Sequence, residues 1–193
     1  MSRPAIFMDR DGTVSDEVGY VNHIDRYRLL PRSAAAIRRI NEAGYLSFVV
    51  TNQAGVARGL FDEALILKVH ETLNRWLGES GARLDGIYYC PHHPKEGQPP
   101  WRLDCDCRKP KPGLLLRAAR EHDVDLSASY MIGDTVLDIE AARNVGATGV
   151  LVLTGYGKGD QIFRMAQRGL QPAFIAPDLL DAVDWILDRE KRR

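Results

Sequence analysis

Two aspartates, Asp9 and Asp11, follow a short apolar run near the start of the chain, in the sequence FMDRDGTVS. Like charges so close together repel each other, and neither would be well solvated at the end of a buried strand. A bound metal ion, acid–base chemistry or both would compensate for that cost. The pair therefore predicts a metal site, a catalytic site, or a site that combines the two.

Polar side chains also stand at the ends of other predicted strands. Residues 51–53 end the second strand, Gly133-Asp134 ends the fourth, and Arg108 and Lys109 precede a predicted helix. The carboxyl ends of parallel strands meet at one edge of a sheet, so we expect these groups to lie together. Carboxylate and backbone oxygens suit Mg²⁺, and hydroxyl and ammonium donors suit a phosphoryl group. The set predicts phosphoryl transfer, in which one aspartate attacks phosphorus to form an aspartyl phosphate and the other transfers protons.

The cysteines and their neighbouring histidines form a second constellation. Cys90 and His92 are two positions apart, Cys105 and Cys107 are two positions apart, and these pairs include all three cysteines of the chain. In a cytoplasmic protein such a cluster favours a metal over a disulfide, and four ligands of this kind suit a closed, structural Zn²⁺ site. His93 is an alternative ligand, although the matching spacing of the two pairs favours His92.

The stretch between the two pairs is rich in proline, and little else in it would order a loop. Incidental cysteines in an irregular loop are therefore the less favoured interpretation. A zinc ion would order the loop at about residues 90–112. It would also hold Arg108 and Lys109, which directly follow Cys107, over the phosphate site.

The elements that would position these groups alternate between strands and helices. The predicted strands are residues 5–9, 45–52, 84–90, 129–134, 148–155 and 173–176, and the predicted helices are residues 33–44, 62–77, 113–124, 136–146 and a last one from 178 onward. Continuous apolar runs in the strands predict a buried, mostly parallel sheet with helices on both faces. We therefore expect one α/β domain over residues 1–193, a Rossmann-like three-layer sandwich.

Three local features of these elements are also predicted. Ser33 and Asp62 are expected to cap the first two helices, because their side-chain oxygens can accept hydrogen bonds from free backbone N–H groups. Residues 154–160 contain three glycines and are expected to form a flexible loop. His70 and His122 lie in predicted helices and are expected on the surface.

Charge and hydropathy exclude several classes of partner. Among the 193 residues, Lys and Arg number 26 and Asp and Glu number 26, so the formal net charge is zero. Such a chain has no long-range attraction to nucleic acid or to an anionic membrane. No apolar run approaches the ~20 residues of a membrane span, and the first residues lack a signal-peptide pattern. We expect a cytoplasmic protein.

Four motifs, in order along the chain, resemble those of the haloacid dehalogenase phosphatase superfamily. They are DRDGT at 9–13, TNQ at 51–53, the lysine of CRKP, and GDTVLD at 133–138. The resemblance implies that Asp9 is the nucleophile and Asp11 the general acid/base. It implies that Mg²⁺ is held by Asp9, the backbone carbonyl of Asp11, and Asp134, and that Thr51 and Lys109 stabilise the transferred phosphoryl group.

The cysteine-rich loop narrows this resemblance to one branch of the superfamily. A phosphatase core whose cap is reduced to a zinc-stapled loop is similar to the D-glycero-D-manno-heptose 1,7-bisphosphate 7-phosphatases and the histidinol-phosphate phosphatases. Four features resemble the heptose enzymes. They are the long interval inside the loop, GYV at 19–21, TNQAGVARG at 51–59 and DGIYYCPHHP at 85–94. The implied reaction is Mg²⁺-dependent hydrolysis of the C7 phosphate through an aspartyl phosphate, in the nucleotide-heptose pathway that feeds lipopolysaccharide. The alternative substrate is histidinol phosphate or another small phosphomonoester.

The resemblance also implies which residues contact the substrate. The candidates are Glu17, Val18, Gly19, Tyr20, Thr51, Asn52, Gln53, Ala54, Arg108 and Lys109. Thr135 stands where some relatives carry Lys or Arg, which leaves the preference between α and β anomers open. Asp138, one helical turn beyond Asp134, is expected to orient the loop or a metal-bound water rather than to bind the metal.

Two other classes of protein fit parts of the pattern. A phospho-acceptor switch also phosphorylates an aspartate at a strand end, but it gives Asp11 and the zinc loop no role. A zinc-stabilised interaction module with an inactive site conflicts with the intact set of catalytic residue types. The expected partner is therefore a small sugar phosphate, with no nucleic acid or membrane. A small cap and a neutral surface favour a monomer.

Overall fold

A six-stranded sheet forms the centre of the computed structural model, which describes residues 2–192. The strands are β1 (Ala5–Met8), β2 (Leu46–Asn52), β3 (Gly86–Cys90), β4 (Tyr130–Gly133), β5 (Thr148–Val152) and β6 (Phe174–Ala176). Every neighbouring pair is parallel, and the order across the sheet is β3-β2-β1-β4-β5-β6. The direction of the strand order reverses between β1 and β4, which is where parallel α/β sheets open a crevice for ligands. The topology thus brings the ends of β1, β2 and β4 together.

Six α-helices accompany the sheet in the described part of the chain. They are α1 (Ser33–Glu42), α2 (Glu63–Glu79), α3 (Gly113–His122), α4 (Val136–Asn144), the single turn α5 (Gly157–Gly159) and α6 (Leu179–Lys191). The Asp62 side chain accepts a hydrogen bond from the Leu65 backbone N–H at 2.9 Å, which confirms the predicted cap of α2. The predicted cap of α1 is wrong. Arg32 takes that position, and Ser33 is the first residue of the helix, with its hydroxyl buried.

The core lies in two layers, one on each face of the sheet. Along β1, the side chains of Ile6 and Met8 point to one face and those of Ala5 and Phe7 to the other, because successive side chains of a strand alternate. The first face is covered by α1, α2 and α6, and the second by α3 and α4. This arrangement confirms the predicted fold class of a three-layer α/β sandwich. None of the helices within residues 2–192 is long and apolar enough to cross a membrane.

The segment after β5 differs from its prediction. Helical turns follow one another from Gly157 to Arg168, so the second half of the stretch 154–160, where a flexible loop was expected, is helical. Asp160 explains the order of this segment, because its buried carboxylate accepts from the backbone N–H of Val136 at 2.6 Å and pairs with Arg164 at 3.0 Å. A contact to a distant helix therefore orders a stretch whose local composition favours a loop.

Candidate active site

The predicted site residues surround one cavity of about 170 Å³ at the carboxyl ends of β1, β2 and β4. Its lining consists of Asp9, Asp11, Glu17, Gly19, Tyr20, Val21, Thr51, Asn52, Gln53, Ala54, Arg108, Lys109, Asp134, Thr135, Leu137 and Tyr156. Val18 is the one predicted substrate contact outside this lining. Its side chain packs against the core, and its carbonyl accepts from the Arg26 guanidinium at 2.9 Å. Residues separated by up to 147 positions in the chain thus meet around one space.

The buried ammonium group of Lys109 is the centre of the site. Nζ donates to Asp9 Oδ1 at 2.9 Å, to Asp138 Oδ1 at 2.6 Å and to the Val50 carbonyl at 2.8 Å, so all three of its protons are used. Burial works against the charged form, but Asp138 and Asp9 offset it and raise the pKa of Lys109. Lys109 therefore remains a fixed positive charge. Asn52 holds its backbone through two hydrogen bonds, to the carbonyl at 3.1 Å and from the N–H at 3.0 Å.

Three carboxylates crowd around this ammonium group. One oxygen from each of Asp9, Asp134 and Asp138 lies within 4.8 Å of the others. Asp138 has both oxygens engaged, one by Lys109 and the other by the backbone N–H and hydroxyl of Thr135. Its contacts agree with an orienting role rather than with metal ligation. The two remaining carboxylates are the ones available to a cation.

Asp134 is the least compensated of the three. Its Oδ2 accepts from the Tyr156 N–H at 2.8 Å, but its Oδ1 is buried and finds no hydrogen-bond partner in the described part of the chain. Burial, followed by the charge of Asp9, raises the pKa of Asp134 to about 9, and burial raises the pKa of Asp9 to about 7. An unpaired buried oxygen beside a second carboxylate is the donor set that a hard cation such as Mg²⁺ takes. The residues present fit a magnesium ion.

Gly12 lets the backbone pass directly against Asp134. Its φ of +80° lies in the left-handed region, and a Cβ at this position would collide with the Asp134 carboxylate. Any other residue would therefore displace the group that is best placed to bind a cation. This close approach explains why glycine follows the second aspartate of the DRDGT motif.

Asp11 is held by four donors. Its Oδ2 accepts from Arg10 Nη2 at 2.7 Å and from Gln53 Nε2 at 2.9 Å, and its Oδ1 accepts from Arg10 Nε at 3.0 Å and from the Ser15 hydroxyl at 3.3 Å. The Arg10 fork is a bidentate ion pair, which fixes orientation as well as charge. Asp11 keeps 22% of its side-chain surface exposed and lines the cavity, so it remains accessible to a ligand.

Arg10 is a residue that the sequence analysis did not identify. Its side chain is 1% exposed, and its guanidinium lies 5.8 Å from the centre of the Tyr27 ring. Its Nη1 is 3.3 Å from His70 Nε2. Burial and then the charge of Arg10 lower the pKa of His70 to about 3, so the imidazole is neutral and its Nε2 accepts from the guanidinium. The prediction that His70 lies on the surface is wrong.

A sequence signal for His70 exists. Ile66, His70 and Leu73 recur at the spacing of one helix face, and that face of α2 is buried. His122 is half-buried, and its ring lies 4.9 Å from that of Phe48. His122 thus lies at the surface, as predicted, with part of its ring covered by Phe48.

The cysteines and His92 form a second, separate cluster. The Sγ atoms of Cys105 and Cys107 are 3.1 Å apart, those of Cys90 and Cys105 are 3.4 Å apart, and His92 Nδ1 is 3.4 Å from Cys107 and 3.8 Å from Cys90. Ligands at Zn–S of about 2.3 Å around a tetrahedral ion would be separated by roughly 3.5–3.8 Å. A disulfide would need about 2.05 Å, and all three cysteines are free. The cluster is compatible with zinc.

His93 belongs to a different local structure. Its Nδ1 accepts from the backbone N–H groups of Lys95 at 3.3 Å and Glu96 at 2.9 Å. That nitrogen is therefore occupied in a turn, and His93 stands outside the group of four candidate metal ligands. The structure thus distinguishes the two adjacent histidines, as the spacing argument favoured.

Comparison with known proteins places these features in a family. The HAD-hydrolase-like family model matches residues 106–182. A relative from Escherichia coli strain K12, named D-glycero-beta-D-manno-heptose-1,7-bisphosphate 7-phosphatase, is 44% identical in an alignment that covers 97% of this chain and 90% of the relative. A relative from Thermosynechococcus vestitus, named D-glycero-D-manno-heptose-1,7-bisphosphate 7-phosphatase, is 42% identical and covers 96% of each chain.

A solved structure agrees with the sequence relatives. The D,D-heptose 1,7-bisphosphate phosphatase from B. bronchiseptica, complexed with magnesium and phosphate, superimposes with a TM-score of 0.84 at 36% identity. The match covers 96% of this chain and 99% of that one. The agreement therefore extends over the whole fold.

Proposed function

Because the chain belongs to the D-glycero-D-manno-heptose-1,7-bisphosphate 7-phosphatase family of haloacid dehalogenase-like hydrolases, we propose that it removes the C7 phosphate of D-glycero-β-D-manno-heptose 1,7-bisphosphate with the help of Mg²⁺. The observation that carries the proposal is the unpaired, buried Oδ1 of Asp134 beside Asp9 and the fixed ammonium of Lys109. A site that gathers carboxylates around an unfilled position and a positive charge is suited to binding a cation and a phosphate together.

Asp9, Asp134 and the backbone carbonyl of Asp11 would hold the magnesium ion. When bound, the ion would screen the carboxylates from the anionic phosphate. Asp9 is the proposed nucleophile. Its Oδ1 already accepts from Lys109 and from the Arg10 N–H, so Oδ2 is the oxygen that we expect to attack phosphorus. The bond from phosphorus to O7 of the sugar breaks as the aspartyl phosphate forms.

Asp11 is the proposed acid and base. It gives a proton to O7 of the leaving sugar, and it later takes a proton from the water that attacks the aspartyl phosphate. That second step releases inorganic phosphate and restores Asp9. Arg10 and Gln53 orient Asp11 for both transfers, since Arg10 donates to both of its oxygens and Gln53 donates to Oδ2.

Thr51 supplies a donor to the phosphoryl oxygens, and Lys109 supplies a fixed positive charge beside them. The Thr51 hydroxyl oxygen accepts from Gln53 Nε2 at 2.9 Å, which leaves its proton free to point into the cavity. The remaining substrate contacts that we propose are Glu17, Val18, Gly19, Tyr20, Asn52, Gln53, Ala54 and Arg108. Val18 would act only through its backbone, because its side chain packs against the core.

The second metal in this proposal is a structural Zn²⁺ held by the cysteines and His92. With four protein ligands it has no open position for chemistry, and its role is to order the loop that carries Arg108 and Lys109. The proposal also includes a single domain over residues 1–193 that acts as a cytoplasmic monomer, and a product used in the nucleotide-heptose pathway.

Phosphate release from matched substrates tests the function. The purified protein with Mg²⁺ should cleave the β anomer of heptose 1,7-bisphosphate faster than histidinol phosphate, and ³¹P spectra should show loss of the C7 signal first. The α anomer in the same assay tests the anomer preference, which Thr135 leaves open at the sequence level. An Asp9→Asn preparation controls for contaminating phosphatases. Much faster cleavage of histidinol phosphate would replace the proposed substrate with the alternative.

A further inference from the structure

Arg10 is a buried cation that holds the proposed acid and base. Its side chain is 1% exposed and lies outside the cavity lining, and Asp11 is its one ion-pair partner within residues 2–192. Nε and Nη2 donate to the two oxygens of Asp11 at 3.0 and 2.7 Å. Burial works against the charged guanidinium, but Asp11 outweighs that effect and raises the pKa of Arg10. The orientation of Asp11 therefore depends on what fixes the guanidinium.

The third nitrogen of this guanidinium, Nη1, is not held by Asp11. It lies 3.3 Å from Nε2 of His70, which is buried on α2, 60 positions further along the chain. A guanidinium has only donors, so this contact is a hydrogen bond only when Nε2 carries no proton. Burial, followed by the charge of Arg10, lowers the pKa of His70 to about 3, so the ring is neutral. The ring proton then lies on Nδ1, and Nε2 is the acceptor.

Aromatic rings enclose the contact between these two side chains. The Arg10 guanidinium lies 5.8 Å from the centre of the Tyr27 ring, and that ring stacks on Trp76 of α2 with centres 5.6 Å apart. The His70 ring meets the ring of Tyr89 edge-on, with centres 5.6 Å apart. Packing thus limits the movement of both side chains. In the described part of the chain, His70 is the one hydrogen-bond partner of Nη1.

We propose that His70 is a positioning residue, which fixes the Arg10 fork on Asp11 by accepting a hydrogen bond from Nη1. This inference rests on the proposed function and deepens it. A guanidinium is planar and rigid, so a contact at Nη1 sets the plane in which Nε and Nη2 meet the carboxylate. Asp11 must direct a proton to O7 of the leaving sugar, and a loosened carboxylate does so less often in the right geometry. A side chain of α2 thereby acts on proton transfer without touching the substrate.

Two substrates test the inference, because only one of them needs a proton on its leaving group. With the metal-loaded enzyme, His70→Leu should lower kcat/KM for heptose 1,7-bisphosphate by about 10-fold, the order of one hydrogen bond to a charged group. It should leave kcat/KM for p-nitrophenyl phosphate within about twofold. This parameter excludes the later attack of water on the aspartyl phosphate, so it isolates protonation of the leaving group. His70→Gln keeps an acceptor oxygen and should recover most of the loss.

Two further variants separate positioning from stability. Leu77→Val, two turns beyond His70 among the buried residues of α2, should lower the Tm and leave the ratio between the two substrates unchanged. Arg10→Lys combined with His70→Leu should lose no more than Arg10→Lys alone, because both substitutions act through the orientation of Asp11. Equal losses by His70→Leu on both substrates, or losses that multiply in the double variant, would overturn the inference.

Nitrogen NMR tests the contact without turnover and so separates this inference from the proposed function. In the wild type, the His70 ring should carry its proton on Nδ1 and should not titrate between pH 5 and 8. The Arg10 Nε–H should exchange slowly with water, and the exchange should be faster in His70→Leu. A proton on Nε2 would overturn the inference even if His70→Leu does not fold. Wild-type protein that cleaves neither ester contradicts the function, and these spectra then decide the inference.

Discussion

Lys109 shows how one residue organises the chemistry at the smallest scale. Its ammonium group binds Asp9 and Asp138 and offsets their charge beside the less compensated Asp134. Breaking such a buried pair by removing one partner is strongly destabilising, because an uncompensated charge remains. The same contact places a fixed positive charge beside the expected position of the phosphoryl group. Stability and catalysis thus depend on the same atoms.

Substitutions of the two aspartates should separate their roles. Asp9→Asn should abolish turnover, because an amide is a poor nucleophile and a cation ligand is lost. Asp11→Asn should reduce turnover by about 10²- to 10⁴-fold, the usual contribution of general acid–base catalysis. Phosphate release measures both effects, and a phosphate mimic such as beryllium fluoride should modify Asp9 alone. Near-normal turnover by Asp9→Asn would refute the mechanism.

Arg10 should matter most when the leaving group needs a proton. Lysine keeps the charge but lacks the fork that orients Asp11, so Arg10→Lys should slow hydrolysis of a sugar phosphate by about 10- to 100-fold. It should change p-nitrophenyl phosphate turnover much less, since that leaving group departs without protonation. Arg28→Lys, at an exposed position of the following loop, is the matched control. Equal losses with both substrates would indicate a role in folding only.

At the scale of elements, the cysteine-rich loop is tied to the sheet from both ends. Cys90 ends β3, Asn52 at the end of β2 binds the backbone of Lys109, and α3 begins at Gly113. Between these points the loop has almost no regular structure, so side-chain contacts determine its shape. A structural metal would bind in the middle of this span. It would thereby fix the positions of Arg108 and Lys109, which directly follow Cys107.

Substitutions at the two adjacent histidines should test the loop directly. Elemental analysis of the wild type should find about one zinc per chain, and His92→Ala should lose it, because a closed site needs all four ligands. His93→Ala is the control, since its ring nitrogen is used in a turn, and it should keep the metal. Cys105→Ser should impair substrate binding while the sheet remains folded by circular dichroism. A wild type without zinc would overturn this assignment.

At the scale of the whole molecule, unfavourable interactions between buried carboxylates are concentrated at one edge of the sheet. The strand order brings Asp9 and Asp134 from opposite sides of the switch point to within a few ångströms, where burial disfavours their charged forms. Elsewhere the two faces of the sheet bury apolar side chains in the ordinary way. The fold therefore supports a site that is less stable than its surroundings until a cation occupies it.

This arrangement predicts a pH-dependent effect of Mg²⁺ on stability. Burial raises the pKa of Asp9 to about 7 and of Asp134 to about 9, from an ordinary value of 3.8. From the ordinary pKa of 3.8 up to these raised values, the metal-free native state binds more protons than the unfolded chain. The free energy of unfolding therefore falls as the pH rises through this range. The increase in Tm from Mg²⁺ should therefore be small at pH 5 and larger at pH 8.5, where the ion competes with fewer bound protons.

The same measurement on Asp134→Asn provides the control. This variant should be at least as stable as the wild type without metal, because it removes a buried, unpaired carboxylate oxygen, and Mg²⁺ should shift its Tm little. An equal Mg²⁺-dependent shift at both pH values in the wild type would contradict the assignment of the cation site.

Much of this protein could be predicted from sequence because the relevant signals are local. Apolar runs and helix caps such as Asp62 depend on neighbouring residues, and they determined the elements to within a few positions. Carboxylates directly after β1 and β4 had to meet, because all parallel strands end at one edge. The spacing of Cys90, His92, Cys105 and Cys107 likewise limited what the loop could bind.

The tertiary structure decided what depends on contacts between distant parts of the chain. The pairing of Arg10 with His70, the ordering of residues 157–168 by Asp160, and the meeting of Arg58 with Glu96 each join separate elements. A local sequence pattern predicts that a charged residue is exposed to solvent, because its counter-charge lies elsewhere in the sequence. Only the folded chain shows which charges are buried, which are paired, and which, like Asp134, still lack a partner for one oxygen within residues 2–192.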